Sequence, residues 1–336
     1  MVKFIQKTDL LAWLEDLMKE RTLVAPAREE GVTRFRPVNK ASDVVMDSGS
    51  TDLSAKDWFF PPSEVLFTVS KADGKAVITP TTLAREAVLF GLHPCDAQGI
   101  ALMDLPFLAE PTDTIYAEKR EKTTLVGLAC RQACQECFCA SFGSGPFDKS
   151  YLDILLIESG EGYIVQPVTE KGQKLLTPAK VTESNIATPQ PPAVNSLPIE
   201  GLVEIAPKIF NDAYWNRVAD RCIHCNMCAD VCPACYCFDI RDYTGKGGVV
   251  ERVRTWESCQ AAGFTKIAGG YTPRPTKGAR LRQRFYHKFL YMPKQLGKIG
   301  CTGCGRCVRV CPVNIDIREI ITTMQKSGAK IGAGSS

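Results

Sequence analysis

RCIHCNMCADVCP (residues 221–233) and CTGCGRCVRVCP (residues 301–312) decide how this chain is read. Each holds the run C-x2-C-x2-C-x3-C-P: Cys222, Cys225, Cys228 and Cys232 before Pro233, then Cys301, Cys304, Cys307 and Cys311 before Pro312. Thiolates at these intervals can wrap one side of an iron–sulfur cube, and where two runs occur the fourth cysteine of each ligates the other cluster. The reading assigns one [4Fe-4S] cluster to Cys222, Cys225, Cys228 and Cys311, and a second to Cys301, Cys304, Cys307 and Cys232. Crossed ligation makes the two segments one folded unit, a pseudo-symmetric two-cluster ferredoxin split by an insertion over 233–300.

The 336 residues are enough for two or three domains. None of the sixteen cysteines precedes residue 95, and most stand at short spacings. That pattern points to metal thiolates in a reducing compartment, not to a secreted disulfide framework. The N-terminus MVKFIQKTDL has no apolar signal core, and no run approaches the roughly 18 apolar residues of a membrane span. The expectation is a cytoplasmic chain that is not an integral membrane protein. The formal charge of +4 misleads, because an oxidised cube held by four thiolates brings about 2− to its site.

Leu10, Leu11, Leu14, Leu17 and Met18 recur at helical spacing over 9–20, with Thr8 as the expected N-cap. Strands are expected at 22–25, 64–68, 76–79, 87–91, 124–128, 152–157 and 163–168, and a loop over 39–57. The proline-rich stretch SNIATPQPPAVNSL (184–197) reads as a linker or long surface loop. A short helix is expected over 213–221, a closing helix after Pro312 capped by Asn314 or Asp316, and a frayed tail from GAKIGAGSS. The fold class is therefore α+β. Residues 1–200 form a mixed α/β domain, and 201–336 form a mostly helical, ferredoxin-like dicluster domain.

A third constellation precedes the two runs. Cys95 follows the strand pattern AVLFGLH, at a Pro94 turn into a helix opened by Asp96. Cys130 follows TTLVGLA. Cysteines at the C-terminal ends of two strands can converge with the turn carrying Cys137 and Cys139, giving four thiolates for a further cluster, most simply a third [4Fe-4S]. Four thiolates would also accept zinc. Cys134 is a fifth thiol in that region. Cys235, Cys237 and Cys259 are either structural thiols packed beside the clusters or part of a further ligand set. His224 is expected beside a cluster or facing solvent, not as a ligand.

From Lys266 to Lys298 the chain carries nine lysines and arginines and no acidic residue, interleaved with Tyr271, Phe285, Tyr286, Phe289 and Tyr291. Such a segment can dock an acidic electron-transfer partner, compensate cluster charge, or contact nucleic acid. No helix-turn-helix, zinc-finger or RRM signature accompanies it, so no nucleic acid is expected. Neither G-x-G-x-x-G after a strand nor a P-loop occurs. The chain is thus not expected to bind NAD(P), FAD or ATP, and its electrons must come from and go to other subunits.

GLHPCDAQGIALMD (91–104), CFCASFGSGP (137–146), CPACYCFD (232–239), RVRTWESC (252–259) and FTKIAGGYTPRPTKGARLRQRFYHKF (264–289), together with the two cysteine runs, resemble the iron–sulfur beta-subunit family of cytoplasmic NAD(P)-linked nickel–iron hydrogenases, or sulfhydrogenases. The equivalent iron–sulfur component of the anaerobic sulfite reductase falls in the same family. The resemblance covers about residues 55 to 325. It implies a non-catalytic subunit that relays electrons between a flavoprotein binding FAD and NAD(P) and a catalytic subunit, either nickel–iron hydrogenase or sirohaem sulfite reductase. A heterodisulfide-reductase-type complex is a further alternative. The resemblance favours Cys95, Cys130, Cys137 and Cys139 over Cys134 as ligands, and places Cys235, Cys237 and Cys259 in the family core.

Overall fold

The computed structural model describes residues 1–46, 49–81 and 85–333. Its larger sheet runs β10-β1-β9-β8-β7-β6-β2-β3. In chain order these strands are β1 (Val2–Gln6), β2 (Thr22–Glu29), β3 (Val32–Pro37), β6 (Ala87–Leu92), β7 (Thr123–Leu128), β8 (Ile154–Ser159), β9 (Gly162–Pro167) and β10 (Thr182–Ser184). The four central strands, β2, β6, β7 and β8, are parallel and the flanks antiparallel. Every residue of AVLFGL in β6 and TTLVGL in β7 is buried, which is how a strand covered on both faces reads.

One face is covered by α1 (Lys7–Glu20), which turns Leu10, Trp13, Leu14 and Leu17 onto Val88, Phe90, Val126 and Ile154. The opposite face packs Leu89, Leu125 and Leu155 against Ile100, Met103 and Phe107 of α2 (Pro94–Phe107) and Tyr116 of α3 (Thr114–Lys122). The seven expected strands are all present. Two helix starts differ from expectation. Gln6, not Thr8, precedes α1 and caps it without a side-chain bond. The strand β1 runs straight into α1, and the first helical amide, that of Lys7, is satisfied by the Glu161 carbonyl at 3.0 Å instead of a capping side chain. Pro94, not Asp96, is the first residue of α2, where its missing N–H is harmless.

A second sheet runs β11-β12-β4-β5, from β4 (Ser63–Ala72), β5 (Lys75–Pro80), β11 (Phe238–Thr244) and β12 (Val250–Trp256). The 233–300 insertion therefore supplies half of a sheet begun before residue 81. Arg254 of β12 pairs with Glu64 and Asp113 and lies over the rings of Phe60, Phe107 and Phe238.

The helical part packs α4 (Tyr214–Arg221), α5 (Lys277–Tyr286) and α6 (Ile317–Ala333) around Trp215, Leu281, Phe285, Phe289, Ile321 and Met324. A π turn over His287–Tyr291 carries α5 onward. Asp316 caps α6 by accepting from the Arg318 amide at 2.8 Å. Helix α6 extends to Ala333, so 328–333 of the expected frayed tail is helical, and 334–336 lie outside the described residues. The stretch from residue 185 to 199 has no regular structure.

The two cysteine runs repeat one backbone. Their third and fifth positions, His224 and Asn226 in one and Gly303 and Gly305 in the other, all have positive φ. A four-residue helix follows each, Met227–Asp230 and Arg306–Arg309. The runs differ in what they face. A Cβ on Gly303 would come within 2.6 Å of the Phe138 backbone, and one on Gly305 within 2.7 Å of the Glu136 backbone, so only glycine fits the second run. The Phe138 amide also donates to the Gly303 carbonyl at 2.8 Å. Buried Arg306 fastens the same run to the α2 N-terminus: Nη1 stands 2.8 Å from Asp96 Oδ1, and Nε donates to the Thr51 carbonyl at 2.8 Å.

Candidate iron–sulfur centres

Three hollows carry the cysteines. The first is walled by Cys222, Cys225, Cys228, Cys307 and Cys311, with Gln260 and Arg284. Cys232, Cys301, Cys304 and Cys307, with Arg284 and Lys288, wall the second. The third is walled by Cys95, Cys130, Cys134, Cys137, Cys139 and Cys304. The fourth cysteine of each run thus stands with the first three of the other. Cys304 is common to the third and second hollows, and Cys307 to the second and first. Among the described residues, no three Cys, His, Asp or Glu side chains close on one point as the ligands of a single metal ion would. The thiols line walls.

The third hollow sits where the strand order predicts. The strands β6 and β7 are parallel neighbours, and Cys95 and Cys130 leave their C-terminal ends. The turn after β7 brings Cys134, Cys137 and Cys139 opposite. Burial pushes the Cys130 thiol up to about 12. A hydrogen bond from Cys137 draws Cys134 down to about 5. His93 was not singled out from the sequence. It lines this hollow, with Nδ1 at 3.5 Å from Cys130 Sγ and 3.1 Å from the Leu128 carbonyl. Its place between a strand end and Pro94 was the available signal.

The chemistry of the walls fits anionic clusters. Backbone and amide donors point at sulfur: His224 N to Cys222 at 3.4 Å, Ile315 N to Cys311 at 3.2 Å, Gly303 N to Cys301 at 3.5 Å and Gln260 Nε2 to Cys228 at 3.2 Å. Cations do the same. Lys288 Nζ lies 3.2 Å from Cys232 Sγ, and Arg284 Nη1 lies 3.1 Å from Cys235 Sγ. Both side chains are buried, at 2% and 3% exposure. Neither forms an ion pair with a carboxylate among the described residues. A buried cation is costly unless a negative charge faces it, and here the facing groups are cysteine sulfurs. Burial works against the Lys288 charge, but Cys232 and Cys235 outweigh it and hold the amine well above its usual range. The Cys235 thiol in turn donates to Cys232, which is held well below the ordinary thiol range despite its burial.

Cys235, Cys237 and Cys259 gather where β11 and β12 meet. The Cys259 thiol donates a hydrogen bond to Cys237, which holds Cys237 at about 7, and the Glu257 amide donates to the Cys237 carbonyl at 2.9 Å. Lys56, another buried cation missed in the sequence, donates to the carbonyls of Ala229 and Cys235 at 3.2 and 3.3 Å and lies over the Trp256 ring. His224 turns Nδ1 to the Gln260 carbonyl at 3.3 Å. Of the basic segment, Lys266, Lys277, Lys294 and Lys298 are exposed, whereas Arg284 and Lys288 are buried.

Paired cysteine runs on a repeated backbone, walled with sulfur-directed donors, define a dicluster iron–sulfur protein. Residues 221–315 match a family model described as a 4Fe-4S dicluster domain. The sulfhydrogenase 2 subunit beta of Pyrococcus furiosus is 30% identical over 313 residues, 90% of this chain and 91% of that protein. The chain belongs to that family, and is an iron–sulfur, ferredoxin-like electron-transport subunit. No solved structure matches it. No helix among the described residues is long and apolar enough to cross a membrane.

Proposed function

We propose that this chain carries electrons between a flavoprotein subunit, which handles FAD and NAD(P), and a catalytic subunit of a cytoplasmic hydrogenase-type complex. Bound in the hollows, iron–sulfur clusters supply one-electron transfer. The protein's part is to hold them in order, exclude water and set the surrounding charge. We assign the ligands as Cys222, Cys225, Cys228 and Cys311; Cys301, Cys304, Cys307 and Cys232; and Cys95, Cys130, Cys137 and Cys139. By sequence the units are 1–200 and 201–336.

The observation that carries the proposal is the shared walls: Cys304 links the third hollow to the second, and Cys307 links the second to the first. A linear series of three sites has two ends, as a relay between subunits requires. The first hollow reaches the surface at exposed Cys225, flanked by Ile223 and Met227 at 60% and 40% exposure. An apolar, solvent-facing edge around a ligand is where electrons can cross to a partner. Burial of Arg284 and Lys288 removes them from any nucleic-acid footprint and weakens that alternative. Co-purification from the native cell tests the reading. The expected companions are a flavoprotein and a nickel–iron protein. A sirohaem protein instead would move the chain to a sulfite reductase, and absence of any redox partner would contradict the relay.

A further inference from the structure

We propose that Arg284 is a potential-setting cation shared by the two ferredoxin-type centres, a role that rests on the cluster assignment above. Arg284 lies in the wall common to the first and second hollows. Its Nη2 donates to the Cys228 carbonyl at 2.7 Å, and its Nη1 to Cys235 Sγ at 3.1 Å. Cys228 belongs to the first ligand set. Cys235 is hydrogen-bonded through its thiol to Cys232, which belongs to the second. One guanidinium therefore reaches the ligand shells of both centres.

The physical consequence follows from its burial. Arginine keeps its charge even in a protein interior. A fixed positive charge interacts more strongly with a centre after it has gained an electron than before, and interior pairs are little screened by salt. Arg284 thus favours the reduced state of both centres and offsets the repulsion between two anionic sites that share the Cys307 wall. The fixed fork of the guanidinium spans both contacts from one α5 position.

Lys288 supplies the internal comparison. It stands four residues further along, in the π turn that continues α5, and its Nζ donates to Cys232 Sγ and, at 2.6 Å, to the Gly300 carbonyl. It lines the second hollow and not the first. The two cations therefore differ in reach: Arg284 acts on both centres, Lys288 on one.

The test uses the full-length chain, reconstituted anaerobically with iron and sulfide, as wild type, Arg284→Gln, Arg284→Lys and Lys288→Met. Iron is counted, and the clusters are titrated potentiometrically with EPR detection. In Arg284→Gln, the reduction equilibrium of both centres is expected to fall tenfold or more, about 59 mV for a one-electron couple. Arg284→Lys should keep most of the wild-type values, and Lys288→Met should lower one centre selectively. A shift confined to one centre in Arg284→Gln, no shift, or an equal shift in Arg284→Lys would overturn the proposal. So would a Gln variant that loses iron beside a Lys variant that keeps it, since that makes Arg284 an assembly residue. Failure of the relay reading looks different: the unmutated chain itself would then show no dithionite-reducible cluster.

Discussion

Cys232 sits in the first run but walls the second hollow, so it separates crossed ligation from simple ligation. Cys232→Ala should remove the cluster held by Cys301, Cys304 and Cys307 and leave the other EPR signal in place; loss of the Cys222, Cys225 and Cys228 cluster alone would contradict the assignment. Asp57 offers a pH test. Burial holds its carboxyl up at about 6, against the pull of Lys56 and Arg34, and Oδ1 has no hydrogen-bond partner. Because the folded value lies above the unfolded one, the folded chain binds the extra proton between the ordinary aspartate range and about pH 6. The associated stability is full below that window and is lost as pH rises through it. Asp57→Asn should therefore raise Tm by a few degrees near about pH 7.5, with the gain shrinking toward about pH 5; an equal gain at both would contradict this. The eight cysteines of the two runs were legible as residues because ligand spacing is local. The buried roles of Lys56, Arg284 and Lys288 were not, because a charged residue reads as surface until the anion that it faces is placed.

At the scale of elements, the second run is fitted to the turn after β7 by two glycines. Gly303→Ala would place a methyl group against the Phe138 backbone at a φ of 63°. Strained backbone of this kind costs about 1–3 kcal/mol. The expected outcome is a lower denaturation midpoint and a more labile cluster in the second and third hollows than in the first. An unchanged midpoint would mean the contact is loose. Strands β6 and β7 were visible in the sequence because two-sided burial leaves a continuous apolar run. The β11–β12 hairpin was not. Its strands carry the charged residues Asp239, Arg241, Asp242, Glu251 and Arg252, and its partner β4 lies 181 to 192 positions earlier in the chain. Nothing local announces such a pairing. The start of α1 was misplaced for a related reason, since β1, which passes directly into it, owes its burial to β9 and β10.

At the scale of the molecule, the α/β part and the helical part are bound by more than the linker. Arg306 is tied to Asp96 and Thr51, the Phe138 amide to Gly303, and Pro233 packs on Gly99. All three ties lie beside the hollows, which fits a series of centres that must keep fixed spacing. The third site was only partly legible: strand ends placed Cys95 and Cys130 together, but six cysteines, Cys304 among them, line the hollow and spacing alone does not choose among them. The central claim is that three iron–sulfur sites run in series through one chain. Its most direct test is metal and sulfide analysis of the anaerobically isolated protein, read together with EPR after dithionite reduction. Three cubes require about twelve irons and as many sulfides per chain, with interacting [4Fe-4S] spins and no zinc. About eight irons with one zinc would contradict the series and leave a two-cluster ferredoxin joined to a structural metal site.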